Sequence, residues 1–431
     1  MLFTYVAADK YLKERGRLGF VITQVVFKTK GAGEGFRRFR IGQDGAYLGI
    51  IHVDDLVELN PFEGASNKTS ILILQKNQKT KYPVAYTKWS LKESERINED
   101  MTLSEIEDKT TRKYQEANPI GETEVGAWQT SGRAAARSLK KVLGKPAYKA
   151  WRGAGTDPYG VFWVNLIQRL PDGSILINNQ FDAGKTIIPN IQATIEDKLL
   201  YPGLRGGGIK RWAYKPSGFV VLAQDVETRL GYPEDWMKLN LPKTYAYFRQ
   251  FKEILENRKS SFVQKIMERS AFYAMYGIDK QILFDYKVCW QRASASMKAV
   301  VISHFTDLAT NLSKPVIPAD TTSYVAFQDE TEAHYFCAVI NSLLAGTAIR
   351  SFSEPGRGFG APSILENIAI PKFESQVQLH NQLANLSRQA HSLAGKGEDI
   401  ASVETEIDKA TAKLWGISEN EMRELKKSLT E

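Results

Sequence analysis

Three segments of the chain set cations beside glycines and aromatic rings. Tyr201-Pro202-Gly203-Leu204-Arg205-Gly206-Gly207-Gly208-Ile209-Lys210-Arg211-Trp212 holds three cations, three consecutive glycines and an indole. Trp290-Gln291-Arg292 and Pro355-Gly356-Arg357-Gly358-Phe359-Gly360 repeat the theme. Glycine lets backbone approach a ligand closely. A guanidinium pairs with two atoms at once on a phosphate or a guanine edge. Arg205, Lys210, Arg211, Arg292 and Arg357 are therefore candidate DNA contacts. A solvated basic turn is the alternative at each, and three such loops in one region weigh more than any one.

A second basic stretch surrounds Gly31-Ala32-Gly33-Glu34-Gly35, with Lys28 and Lys30 before it and Arg37, Arg38 and Arg40 after it. Its spacing is not that of a dinucleotide fingerprint, and no Lys-Ser or Lys-Thr follows as in a P-loop. It reads as a flexible solvated loop, as a contact to the DNA backbone through Arg37 and Arg38, or as a phosphate cradle. Asn60-Pro61-Phe62-Glu63 precedes a strand-like run. Pro61 restricts Asn60 to extended shapes, so Phe62 rides on a turn. It is either a core ring or a stacking platform for an unpaired base.

No complete catalytic set is present in the sequence. His52, His304, His334, His380 and His391 show no His-x-x-x-His spacing, and there is no Gly-x-Ser-x-Gly. Asp54-Asp55 and Asp329-Glu330 read as caps or solvated edges. Cys289 and Cys337 are the only cysteines, too few for a disulfide framework or a four-ligand zinc site, which favours a reducing, cytoplasmic setting.

These loops need elements to hold them. The 431 residues are 43% hydrophobic and 25% charged, with a formal charge of +8. That is ordinary globular composition for two or three domains, mildly suggestive of an anionic partner. No apolar run approaches the roughly 20 residues of a membrane span, and no signal peptide is read at the start. Residues 1–89 read as α/β: a helix over Tyr5–Leu12, then strands over Leu18–Thr23, Tyr47–Val53 and Thr69–Lys76, which suggests part of a doubly wound sheet. Residues 90–145 read as a linker with helical pieces, one opened by a capping box at Thr102-Leu103-Ser104-Glu105. Residues 146–372 read as a mixed α+β domain of short strands with a helix near Tyr245–Arg269 and another capped at Asp329. Residues 373–431 read as a helical tail, with Val403, Ile407, Ala410 and Leu414 as its apolar stripe.

In this order the segments resemble adenine-specific DNA methyltransferases of the TaqI-like class, in particular their large restriction-modification members. Ala8–Lys76 resembles the second half of the catalytic domain, with Phe62-Glu63-Gly64-Ala65 at a Phe-x-Gly-Ala turn. Leu200–Trp212, Tyr286–Arg292 and Asn341-Ser342 followed by Ile370-Pro371 resemble the target-recognition domain. Glu404–Asp408 through Leu414–Ser418 resembles the closing helix pair. The resemblance implies double-stranded DNA as partner and Phe62 as the ring that clamps an extruded adenine. The family's S-adenosylmethionine motif and its Asn-Pro-Pro-Tyr or Asp-Pro-Pro-Tyr tetrapeptide do not occur in these residues. The expectation is therefore no catalytic or cofactor-binding residue in this chain, and a companion N-terminal methyltransferase chain that supplies both. The alternative is a non-enzymatic DNA-binding specificity subunit or an inactive remnant.

Overall fold

Leu18, Phe20 and Ile22 alternate with Gly19, Val21 and Thr23, the period of a strand with two unlike faces. In the computed structural model, which describes residues 2–29, 32–41, 45–62, 68–121, 123–184, 186–353, 356–357 and 359–430, that run is β1 (Arg17–Thr23). It belongs to a sheet with β2 (Leu48–Asp55), β3 (Thr69–Lys76), β4 (Val84–Leu91), β5 (Thr110–Pro119) and β6 (Trp128–Ser131). The order is β1-β3-β2-β4-β5-β6. β3 runs antiparallel to both β1 and β2, so those two are parallel with a strand inserted between them. β2 and β4 are also parallel, and β5 and β6 continue antiparallel. The expected α/β character is present, but the sheet is mixed and does not stop at residue 89. The stretch read as a linker contributes β5 and β6 as well as two helices, α4 and α5 below. Thr110–Pro119 carries Arg112, Lys113 and Glu116 and buries only Thr110 and Ala117, so it lacks the apolar run by which buried strands are recognised.

Helices α1 (Leu2–Lys10), α2 (Val25–Lys28) and α3 (Ala32–Arg37) accompany this sheet, and α4 (Leu103–Lys109) opens on the expected Thr102–Glu105 capping box. α3 occupies what the sequence presents as a glycine-rich loop; Lys30 and Gly31 lie outside the described residues. α5 (Arg133–Val142) follows β6.

The next region is built on two sheets. β7 is Trp151–Arg152, and α6 (Tyr159–Phe162) takes up residues read as strand. β8 (Trp163–Arg169), β9 (Ile175–Asn179), β10 (Gln192–Ile195), β11 (Leu200–Leu204), the hairpin β12 (Ile209–Lys210) and β13 (Ala213–Tyr214), and β14 (Gly218–Val221) come next. The single helix expected near Tyr245–Arg269 is divided among α8 (Pro242–Arg249), α9 (Lys252–Glu256) and α10 (Ser261–Met267), preceded by α7 (Glu234–Asn240). β15 (Tyr286–Gln291), β16 (Ala293–Ser294), β17 (Ala299–Ile302), β18 (His304–Thr306), β19 (Ser313–Pro315), β20 (Ile317–Pro318), β21 (Thr322–Phe327) and β22 (Gly356–Arg357) complete the strands. One sheet has the order β10-β9-β8-β14-β11-β20, the other β17-β15-β21-β7.

α11 (Glu330–Asn341) is capped by Asp329, and α12 (Leu343–Phe352) by Ser342. The tail forms α13 (Gln378–Lys396), α14 (Ala401–Leu414) and α15 (Glu419–Thr430). It does not stand apart. Val403, Ile407 and Ala410 enter one buried cluster with Leu139 of α5, Trp290 of β15 and most of α11. No single helix among the described residues is long and apolar enough to cross a membrane.

The first sheet has its own small core, from Phe27, Leu72, Leu74 and Trp128. Among the described residues, β1 at its border pairs with β3 alone. Val21 stands 52% exposed there, and Leu2, Phe3, Val6, Tyr11 and Val25 are exposed beside it.

Candidate nucleic-acid interface

The glycines at 206–208 form a single 3-10 turn after β11, held from below. Gln291 donates through Nε2 to the carbonyl oxygens of Gly206 (2.7 Å) and Ile209 (3.0 Å), and the Gly206 amide donates to Thr321 Oγ1 at 2.9 Å. A Cβ on Gly208 would lie 2.4 Å from the carbonyl oxygen of Lys215, so that position needs glycine.

Arg205 leaves this turn across two rings, its guanidinium carbon 4.3 Å from the Trp163 ring centre and 4.9 Å from that of Tyr159. It also donates to Gln180 Oε1. Burial lowers its pKa somewhat, opposed by Tyr159 and Asp182. The Tyr159 hydroxyl donates to one carboxylate oxygen of Asp320, and Arg152 donates to the other at 2.8 Å. Burial first, then that carboxylate, pushes the phenol up, so it remains a donor. Arg292 donates to the Asp320 carbonyl oxygen at 2.9 Å. β16 pairs with β22, placing the backbone of Arg357 opposite Ala293. The Asp320 carboxylate thus joins Arg152 to Tyr159, on which Arg205 lies, while Arg292 holds the Asp320 carbonyl oxygen and the Arg357 backbone pairs one residue further along; the Arg357 side chain lies outside the described residues. Lys210 is exposed on the adjacent hairpin. Sequence reasoning passed over Arg152, Tyr159, Gln180 and Asp320, which come from scattered loops and carry no shared motif.

Two of the expected contacts have partners within the chain. Arg211 turns inward: it donates to Glu404 of α14, to the Asn341 carbonyl oxygen (2.7 Å) and to that of Met297 (3.2 Å). The Trp212 indole donates to the same Glu404 oxygen at 2.7 Å. Arg37 is 1% exposed and donates to the carbonyl oxygens of Val26 (2.6 Å) and Val125 (2.9 Å). A guanidinium with several donors is a ready clamp for backbone carbonyls, a use that residue type alone does not announce. Arg38, one residue on, is exposed.

Phe62 is 50% exposed. Its turn is set by Asp55 at the end of β2, which accepts from the Val57 amide (3.0 Å) while its other oxygen accepts from Gln24 and Tyr86. Asn60 adopts φ of 43°, and residues 63–67, including the rest of the Phe-x-Gly-Ala turn, lie outside the described residues. The carboxyl ends of parallel strands are where open α/β sheets bind ligands. Close to that edge lies a cleft of about 360 Å³ between Gln24, Lys28 and Lys68 on one side and Phe352, Phe359 and Asn367 on the other. Lys28 ties its walls together, donating to Thr130 Oγ1 (2.9 Å) and to the Ser351 carbonyl oxygen (2.8 Å). The lining has two lysines and no carboxylate, a poor match for a cationic sulfonium. S-adenosylmethionine therefore does not fit the residues of this cleft. Among the described residues no cluster of His, Cys, Asp and Glu could hold a metal ion.

The likenesses of the chain are to DNA methyltransferases and restriction-modification enzymes. No protein-family profile matches it. It is 24% identical over 152 residues to the type II methyltransferase M.NspV of Nostoc sp., covering 35% of this chain and 29% of that protein. Among solved structures, the Type IIL restriction-modification enzyme MmeI in complex with DNA aligns over 93% of this chain and 47% of its own, at 10% identity and a TM-score of 0.49. The type IIG restriction endonuclease BpuSI aligns over 94% of this chain and 47% of its own, at 13% identity and 0.32. The chain thus spans less than half the length of each of these proteins.

Proposed function

We propose that this chain is the DNA-recognition and base-holding part of an adenine-specific DNA methyltransferase of the restriction-modification kind, dependent on a companion polypeptide for S-adenosylmethionine and for catalysis. The observation that carries the reading is the pairing of a cationic patch with an unfinished sheet. Arg152 and Arg292 bond Asp320, and Arg205 lies across Tyr159, which bonds the same residue, beside a glycine turn; such a cationic surface suits phosphates and guanine edges. The β1 border offers unpaired backbone and exposed apolar side chains, which proteins otherwise cover or charge. A parallel strand from the companion would pair there. Phe62 would stack on the extruded adenine.

The test has two arms. Duplex binding by the chain alone should weaken steeply between 50 and 200 mM salt, as counterion release requires. Methyl transfer to duplex should appear only when a methyltransferase N-terminal half is added. Salt-independent binding, or transfer by the chain unaided, would end the proposal. The reading as a non-enzymatic specificity subunit predicts the same binding but no gain of transfer on mixing.

A further inference from the structure

α5 carries Arg133, Arg137 and Lys140 at helical spacings of four and three, all on one exposed face, while Ser138, Leu139 and Val142 bury the other. Lys145 follows the helix, also exposed. These four cations line one side of an open groove of about 1050 Å³, with Glu116 and Asn118 of β5 across it. Arg133 donates to Glu116 at 3.0 Å, so the one carboxylate of the lining is already engaged. Arg137, Lys140 and Lys145 have no acidic partner among the described residues. Lys141, next along, is occupied differently, by Glu421 and the Gly416 carbonyl oxygen of the tail.

We infer that this groove is a second nucleic-acid surface, one that takes the phosphate backbone of duplex DNA. It rests on the reading that the chain binds DNA, and uses none of the residues of the Asp320 patch. Three unneutralised cations fixed along a helix and its exit suit a polyanion. The large aliphatic residues of the lining, Ile120 and Leu143, are partly buried against the neighbouring core, and the charged side chains that the groove exposes are the four cations. The groove adds grip without sequence information, since phosphate contacts position the protein and do not read bases.

The experiment compares the full chain with the triple variant Arg137→Ala, Lys140→Ala, Lys145→Ala in anisotropy titrations of duplexes of unrelated sequence, across a range of salt. A control variant, Lys259→Ala, Lys265→Ala, Lys280→Ala, loses the same charge at exposed positions elsewhere. At about 0.9 per phosphate contact, the groove variant should lose up to about 2.7 from the salt slope, equally for all sequences. Its melting temperature should match the wild type, and the control should keep the wild-type slope. An unchanged slope in the groove variant, or an equal fall in the control, overturns the groove while leaving DNA binding intact. A wild-type chain that binds no duplex removes the reading beneath it.

Discussion

The first sheet and the region after residue 145, called the recognition region after its proposed role, bury their apolar residues to very different degrees. Ten of the sixteen strongly exposed large apolar side chains among the described residues lie before residue 115, six of them in the first 25. In the recognition region and tail, by contrast, whole runs such as Ala333–Asn341 are buried, and α11 is packed by β15, β17 and α13. The difference teaches that the two regions are stabilised differently. The recognition region with its tail buries long runs of helix in its cores, whereas the first sheet leaves more of its apolar side chains in water.

The strongest challenge to that contrast is a deep cut on one side of it. Trp212→Ala removes an indole that is 1% exposed and bonded to Glu404. It should cost the recognition region about 3–5 kcal/mol. Calorimetry should show one transition falling and a second, from the first sheet, unmoved; a single transition that shifts as a whole would erase the distinction.

Acid should separate the regions next. Burial, with each other's proximity a lesser cause for His334, holds His334 at about 3 and His391 at about 4. Unfolded, both titrate near 6.5. Between 6.5 and about 4 the unfolded chain binds more protons, so their contribution is complete above 6.5 and is lost as pH falls through this window. A slope approaching about 2.7 kcal/mol per pH unit, about 1.4 for each histidine, is expected there for the recognition region. Denaturant midpoints measured against pH check it, and His391→Gln should make the slope shallower.

Binding gives a smaller effect. Arg205→Ala removes the guanidinium stacked on Trp163 and Tyr159 and should weaken duplex affinity by about 1–3 kcal/mol, read by anisotropy. Smallest of all in stability is Val21→Lys, within about 0.5 kcal/mol because the side chain is exposed. Its consequence should appear elsewhere, as lost association with the companion in sedimentation; unaltered association would place the companion's contact away from β1.

Local signals in the sequence carry over well where the physics is local. The capping box at Thr102, the Asp329 cap and the strand at 69–76 follow from neighbouring residues alone. What was not legible depends on distant partners. Arg37 and Arg205 look alike in sequence, yet one clamps backbone carbonyls and the other lies across two rings. β5 hides because it is largely polar, and β6 because its four residues, three of them polar, carry no strand pattern although all are buried. Of the candidate site, the glycine loop and its cations could be named in advance, whereas Asp320 and Arg152 meet only through the fold.

Glu404 accepts from two consecutive residues at the end of the glycine loop, Arg211 and Trp212, and lies 193 residues from the first of them. The mooring of the loop is thus written in the closing helices. Substitutions in α14 that never approach a ligand can tilt the hairpin bearing Lys210, so altered reach on the duplex can be selected from a part of the chain that resembles mere scaffolding.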